Sequence, residues 1–135
     1  MSYKIEEIQG IGPAYKEKLA KAKVATTDDL LKMCCEPAGR KTISETTGLS
    51  EGHLLTWSNM ADMMRISGVG PQFAELLEAS GVDTVKELQH RNAENLATKM
   101  SEVNTEKNLA NATPAASTVQ EWIDQAKSLE PTIKY

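Results

Sequence analysis

The sequence reads IQGIGP at residues 8–13 and ISGVGP at residues 66–71. Both segments place apolar residues, glycines and a proline in the same order. Because matching residues also follow each segment, the likeness extends well beyond one short turn. Internal repetition on this scale indicates two copies of one supersecondary unit.

The repeated positions downstream are mainly apolar or aromatic. In pairs they are Tyr15 and Phe73, Leu19 and Leu77, Val24 and Val82, Leu30 and Leu88, then Leu54 and Val119, Trp57 and Trp122, Ala61 and Ala126, Met64 and Leu129. The last four positions have the same spacing in both copies, and this spacing is typical of one face of a helix. No segment alternates apolar and polar residues as a strand does. The sequence therefore predicts an all-α fold of two tandem helix-hairpin-helix units, each followed by two further helices. We expect the units at residues 1–59 and 60–135, packed as one compact body.

Residues typical of helix ends mark the boundaries within each copy. Pro13 and Pro71 suit the first position of a helix, where a missing amide hydrogen costs nothing. A capping box is expected at Thr84 with Glu87, and a weaker one at Thr26 with Asp29. Further helices are expected at about 37–47 and after the caps Ser50, Asn92 and Ser117. Gly81 suits a helix end, whereas its counterpart Lys23 does not.

Composition limits the classes of function. With 15 basic and 19 acidic residues, the net charge is −4, so the chain is not a histone-like coat for a polyanion. No apolar run approaches the roughly 18 residues of a membrane span, and the first residues lack the apolar block of a signal peptide. We expect a cytoplasmic protein without membrane association. The adjacent Cys34 and Cys35 are expected to be reduced and unpaired.

The glycine hairpins are the candidate binding sites. A glycine turn before a helix exposes amide groups at the positive end of the helix dipole, and this arrangement binds phosphate. The candidate nucleic-acid-binding residues are Gly10, Ile11, Gly12, Lys16, Lys18 and Lys21, and the matching second hairpin is Gly68, Val69 and Gly70. The alternative is purely structural, because Ile11 and Val69 can fill the space between two helices.

Local charge distinguishes the two hairpins. Residues 1–41 contain eight basic and six acidic residues, whereas residues 62–103 contain four basic and seven acidic residues. Glu75 and Glu78 follow the second hairpin and would repel a phosphate. If either hairpin binds a nucleic-acid backbone, we expect it to be the first.

The sequence contains no recognisable catalytic or cofactor-binding motif. His53 and His90 lack partners at metal-ligand spacing, and there is no phosphate-binding loop or nucleophile motif. We expect a non-enzymatic protein without metal or cofactor. Only six aromatic residues are present, which argues against the stacking surfaces of single-strand binders.

The stretches at 8–19, 37–41, 54–70 and 122–129 together resemble an uncharacterised, mainly bacterial family known as a domain of unknown function with tandem helix-hairpin-helix units. The resemblance covers nearly the whole chain and implies the fold. By analogy, such hairpin pairs in repair and recombination proteins bind DNA without sequence preference, and others mediate protein contacts.

Two functional hypotheses follow. The first is a module that makes weak, sequence-independent contacts with a DNA or RNA backbone through the first hairpin. The second is an adaptor that binds a protein partner, with the hairpins serving only as packing motifs. Fold alone does not decide between them.

Overall fold

The computed structural model describes residues 3–130 and 132–134, and in this part of the chain all regular structure is helical. After a 3₁₀ turn at Ile5–Glu7, the helices are α1 (Pro13–Lys21), α2 (Thr27–Cys34), α3 (Pro37–Thr47), α4 (Glu51–Met63), α5 (Pro71–Ala79), α6 (Val85–Leu88), α7 (Ala93–Lys107) and α8 (Ala116–Ser128). The described residues include one isolated bridge, between Lys4 and Thr26, and no strand. The predicted all-α fold is confirmed.

Two sets of four helices follow the two glycine segments. Helices α1 and α5 have nine residues each, and α4 and α8 have thirteen each. The connection between α7 and α8, at residues 108–115, is longer than the connection between α3 and α4, at residues 48–50. The unit boundary expected at 59/60 falls inside α4, which packs on both α2 and α5, and the division into units stays a prediction.

Four helices begin at a polar cap. The side chains of Thr26, Ser50, Thr84 and Asn92 each accept a hydrogen bond from the amide three residues later. The prediction for Ser117 is wrong, because α8 begins at Ala116, two residues earlier than a cap at Ser117 requires, and Ala115 takes the extended cap conformation. Ser117 is therefore the second residue of the helix rather than its cap.

The C-terminal segment returns to the first set of helices. Arg40 is buried, and its guanidinium donates to the carbonyls of Cys34, at 2.9 Å, and Lys134, at 2.7 Å. The amide of Lys134 in turn donates to the carbonyl of Cys35 at 2.7 Å. These bonds join the end of the chain to the α2–α3 junction, so the two sets of helices are held at more than one point.

Candidate nucleic-acid interface

Both glycine turns have the same backbone conformation. Gly10 has a φ of 95° and Gly68 a φ of 94°, values that favour glycine. Each turn is closed by a hydrogen bond from the apolar residue after that glycine, from the amide of Ile11 to the carbonyl of Ile8 at 3.1 Å and from Val69 to Ile66 at 3.0 Å. The first glycine of each pair is therefore required by the fold.

A buried tryptophan lies beneath each turn. A Cβ on Gly10 would lie 3.6 Å from Nε1 of Trp57, and a Cβ on Gly68 would lie 3.0 Å from Nε1 of Trp122. The tryptophans also pack against matching rings. The centroids of Tyr15 and Trp57 are 5.2 Å apart with planes at 56°, and those of Phe73 and Trp122 are 5.2 Å apart at 53°. Each tryptophan thus lies under a glycine turn and packs against a matching ring, as the repeat positions predict.

The second glycine of each pair has no such structural role. Gly12 has φ −86° and ψ −175°, and Gly70 has φ −94° and ψ −170°, extended conformations that any residue adopts. No atom of the described residues lies within 4 Å of a Cβ built on Gly12, apart from its chain neighbours. At Gly70 the nearest atom is Oη of Tyr3, at 4.0 Å. The fold would accept a side chain at either position.

The start of α1 presents free hydrogen-bond donors. Gly12 is the N-cap and has no side chain to accept from the first turn. The amides of Ala14 and Tyr15 belong to that turn, where no intrahelical acceptor exists. The first turn also contains no acidic residue, whereas α2 begins with the Thr26 cap and with Asp28 and Asp29. The α1 terminus is therefore suited to an anion.

The three candidate lysines are exposed but do not form one cluster. Nζ of Lys16 is ion-paired with Glu6 at 2.5 Å, and this hydrogen bond lowers the pKa of the Glu6 carboxyl. Lys18 and Lys21 lie further along α1, at about 8 and 12 Å from Pro13 by helical rise. Only Lys16 is close to the turn, and part of its charge is already balanced.

The apolar residues between the glycines lie inside the molecule. Ile11 is 4% exposed and Val69 is fully buried. Their side chains fill the core beneath each turn and are not available to a ligand. Both residues belong to the hydrophobic core, so any ligand contact at these positions involves the backbone.

The surroundings of the second turn are acidic and concave. A cavity of about 500 Å³ lies there, lined by Glu7, Gly68, Gly70, Pro71, Gln72 and Phe73. Glu7 comes from the 3₁₀ turn before the first hairpin, and its carboxylate accepts from the amide of Lys4 at 3.0 Å. No pattern in the sequence predicts this contribution of Glu7, because it depends on how the two sets of helices pack together. A carboxylate at this mouth disfavours phosphate.

Two carboxyl groups on α5 have raised pKa values. Burial raises the pKa of Glu75, and burial followed by the charges of Asp83 and Glu75 raises the pKa of Glu78. Their ionised forms are therefore less favourable in the folded protein than in the unfolded chain.

This gives a pH-dependent prediction for Glu78→Gln. A carboxyl whose pKa rises on folding loses its stabilising contribution as the pH rises through its pKa in the folded protein. The negative charge of Glu78 therefore opposes folding at about pH 7. At about pH 3 the carboxyl is protonated in both states and has no such effect. The variant should melt at a higher temperature than the parent at neutral pH, and the difference should vanish in acid. Glu121→Gln, an exposed change on α8, serves as the control in thermal unfolding followed by circular dichroism. A lower melting temperature for Glu78→Gln at neutral pH would contradict this account.

The described residues contain no group of three or more potential ligands that could hold a metal ion. No helix among them has the length and apolar character needed to cross a membrane. Cys34 is buried and Cys35 partly so, both as free thiols, and burial raises the pKa of Cys34 to about 11.

Comparisons with known proteins identify the family of this chain. Neither the curated proteins nor the solved structures include one that matches this chain. The family described as Domain of unknown function (DUF4332) matches residues 9–129, a range that includes both glycine turns and helices α1 to α8 in full. The chain therefore belongs to the DUF4332 family.

Proposed function

We propose that this protein makes weak, sequence-independent contacts with the phosphate backbone of nucleic acids through the turn at Gly10–Gly12, without catalysing a reaction. The observation that carries the proposal is the exposed Gly12, whose missing side chain serves no purpose inside the fold. A glycine of this kind is explained if a ligand approaches the backbone closely.

The chemistry of the α1 terminus favours a phosphate as that ligand. Uncapped amides at the start of a nine-residue helix donate hydrogen bonds, and the helix dipole favours negative charge there. A Cβ at Gly12 would project into the open space that the phosphate must occupy. Because backbone amides contact phosphate and not the edges of bases, such binding carries no sequence preference.

Charge favours the first turn over the second, although their backbones match. The second turn opens beside Glu7 and is followed by Glu75 and Glu78. The first is followed by exposed lysines, and Lys18 and Lys21 can extend the contact to neighbouring phosphates. The partners are therefore DNA or RNA backbones held at one end of α1.

A salt titration with matched glycine variants tests this proposal. Fluorescence anisotropy of a labelled duplex should show binding whose log K falls with log salt with a slope of about −2 to −4, as two to four phosphate contacts require. Gly12→Ala should weaken binding about tenfold, the effect of losing one charge-assisted hydrogen bond. Gly70→Ala is the matched control and should bind like the parent. Both variants should fold, with unfolding free energies within about 1 kcal/mol of the parent.

Charge reversals provide an independent check in the same assay. Replacing Lys16 and Lys18 with glutamate should abolish binding, whereas Gln72→Glu should do little because its surroundings are already acidic. Equal losses for Gly12→Ala and Gly70→Ala would contradict the assignment to the first turn. If the parent fails to bind at about 50 mM salt and high micromolar concentration, where non-specific binders associate, the proposal is wrong.

The cavity beside the second turn supports the alternative function of a protein-interaction adaptor. Pro71 and Phe73 give it an apolar wall, and Glu7 gives it a negative edge. An adaptor would show neither the salt dependence nor the difference between the two glycine variants, so the same titration separates the two functions.

A further inference from the structure

Three rings meet beside the first glycine turn. The imidazole of His53 stacks on the indole of Trp57, with centroids 5.5 Å apart and planes at 21°. Tyr15 lies 6.0 Å from His53 and 5.2 Å from Trp57. Trp57 is only 4% exposed, Tyr15 is partly buried and His53 is exposed. The imidazole is therefore the outer layer of a stack whose inner layer is fixed in the core.

The burial of Trp57 does not explain why a histidine occupies position 53. In the second set of helices Thr118 stands where His53 stands in the first, four residues before the tryptophan. Trp122 is nonetheless 2% exposed and keeps its contact with Phe73. Since a tryptophan under an identical turn is fully packed without a stacked ring, His53 is not needed to bury Trp57.

The position of the rings relates them to the phosphate-binding amides. Tyr15 contributes both a backbone amide to the first turn of α1 and a ring to the cluster. A phosphate held at this terminus would thus have its own or a neighbouring base close to His53. Imidazole and phenol rings are common stacking partners for unpaired bases, and a base inside a duplex has both faces covered by its neighbours.

We propose that His53 and Tyr15 form a stacking surface for an unpaired base, so that the preferred substrate is single-stranded nucleic acid. This inference rests on the proposed function, because the phosphate contact at Gly12 brings the base to the rings. It also replaces the expectation, based on the small number of aromatic residues, that the chain has no stacking surface. Two of the six aromatic residues, Tyr15 and Trp57, lie in contact with each other and with His53.

Binding to oligonucleotides with and without bases tests the inference on the unaltered protein. The probes are a thymidine oligomer of about 15 nucleotides, its abasic counterpart with the same phosphates, the uridine RNA equivalent and a duplex of the same length. The parent should bind the thymidine and uridine oligomers at least about fivefold more tightly than the abasic strand or the duplex, the lower limit for one stacked base.

Variants at position 53 identify the ring responsible. His53→Ala should reduce affinity for both base-bearing strands by about fivefold or more and leave abasic and duplex binding unchanged. His53→Phe should retain the preference, because it keeps a flat ring. Thr118→Ala is the control in the second set of helices and should change nothing.

The outcomes separate this inference from the proposed function. Equal affinity of the parent for base-bearing and abasic strands, with a normal salt slope, would overturn the stacking surface and leave the phosphate contact intact. Equal losses for His53→Ala and His53→Phe would also overturn it, because stacking would not then be the cause. Failure to bind any probe would overturn both. The abasic comparison decides the matter even if a variant fails to fold.

Discussion

Replacing Gly39 with alanine should lower the free energy of unfolding by about 3 kcal/mol, the upper range for forcing extra atoms into a packed site. Gly39 lies in the first turn of α3, where that helix crosses the end of α2. A Cβ at this position would lie 2.0 Å from the carbonyl oxygen of Met33 and 3.1 Å from its carbonyl carbon. Carbon and oxygen atoms in close contact are usually 3.3 Å apart or more, so the two helices must separate by over 1 Å.

Separation of α2 from α3 also affects the buried Arg40, the next residue on α3. Its guanidinium bonds to the carbonyls of Cys34 and Lys134 would lengthen, leaving buried polar groups poorly paired. Urea denaturation of the parent and of Gly39→Ala measures the loss. Gly52→Ala is the matched control, since Gly52 is exposed in the first turn of α4 and a Cβ there would lie 4.0 Å from the nearest atom, Oγ of Ser50. This variant should be neutral or stabilising by up to about 1 kcal/mol. Equal stability of Gly39→Ala and the parent would contradict the close approach of α2 and α3.

The repeated pattern of apolar residues predicted the helical fold because each residue of the pattern has a packing role. Leu19 and Leu77 are fully buried, as are Val24 and Val82, and the two tryptophans lie under matching turns. Such positions can be identified from sequence because burial of one helix face imposes a regular spacing. The glycines of the turns could be predicted for the same reason, since a positive φ restricts the residue type.

Predictions about helix ends were less accurate, because the side chains near a helix end compete for the same hydrogen-bond partners. A complete capping box forms at Thr26 and Asp29, where each side chain bonds to the other's backbone. None forms at Thr84, where the sequence predicts the stronger box. Glu87 instead accepts from Nε of Arg91 at 3.1 Å. Lys23 likewise adopts a φ of 66°, close to the conformation of Gly81, although its residue type argues against it. The surrounding helices impose the same turn on both residues.

The candidate site could be only partly predicted. The exposed turn at Gly12 and its basic helix follow from sequence, since glycine turns before helices have a known geometry. The ion pair of Lys16 with Glu6, the approach of Glu7 to the second turn and the stack of His53 on Trp57 do not. Each of these contacts joins different elements and depends on tertiary packing, for which one sequence carries no periodic signal.

Trp122→Ala should lower the free energy of unfolding by roughly 3 to 5 kcal/mol, the usual cost of truncating a large buried ring. The indole is 2% exposed, supports the turn at Gly68 and packs against Phe73. Its removal leaves a cavity beneath the turn that neighbouring helices can fill only in part. Gln120→Ala, two residues away and exposed on α8, is the control and should change stability by about 0.5 kcal/mol or less.

A double-mutant cycle tests the packing around Trp122 more closely. Phe73→Ala and Trp122→Ala, measured singly and together by urea denaturation, should show a coupling of about 0.5 to 1.5 kcal/mol, as tilted aromatic pairs do. The cycle with Tyr15→Ala and Trp57→Ala should give a coupling of similar size, because the two pairs share a 5.2 Å separation and nearly the same tilt. Strictly additive losses in the Phe73 and Trp122 cycle, or an unchanged melting temperature for Trp122→Ala, would contradict the placement of this tryptophan. A coupling in only one of the two cycles would show that the repeated turns are not supported in the same way, despite their matching backbones.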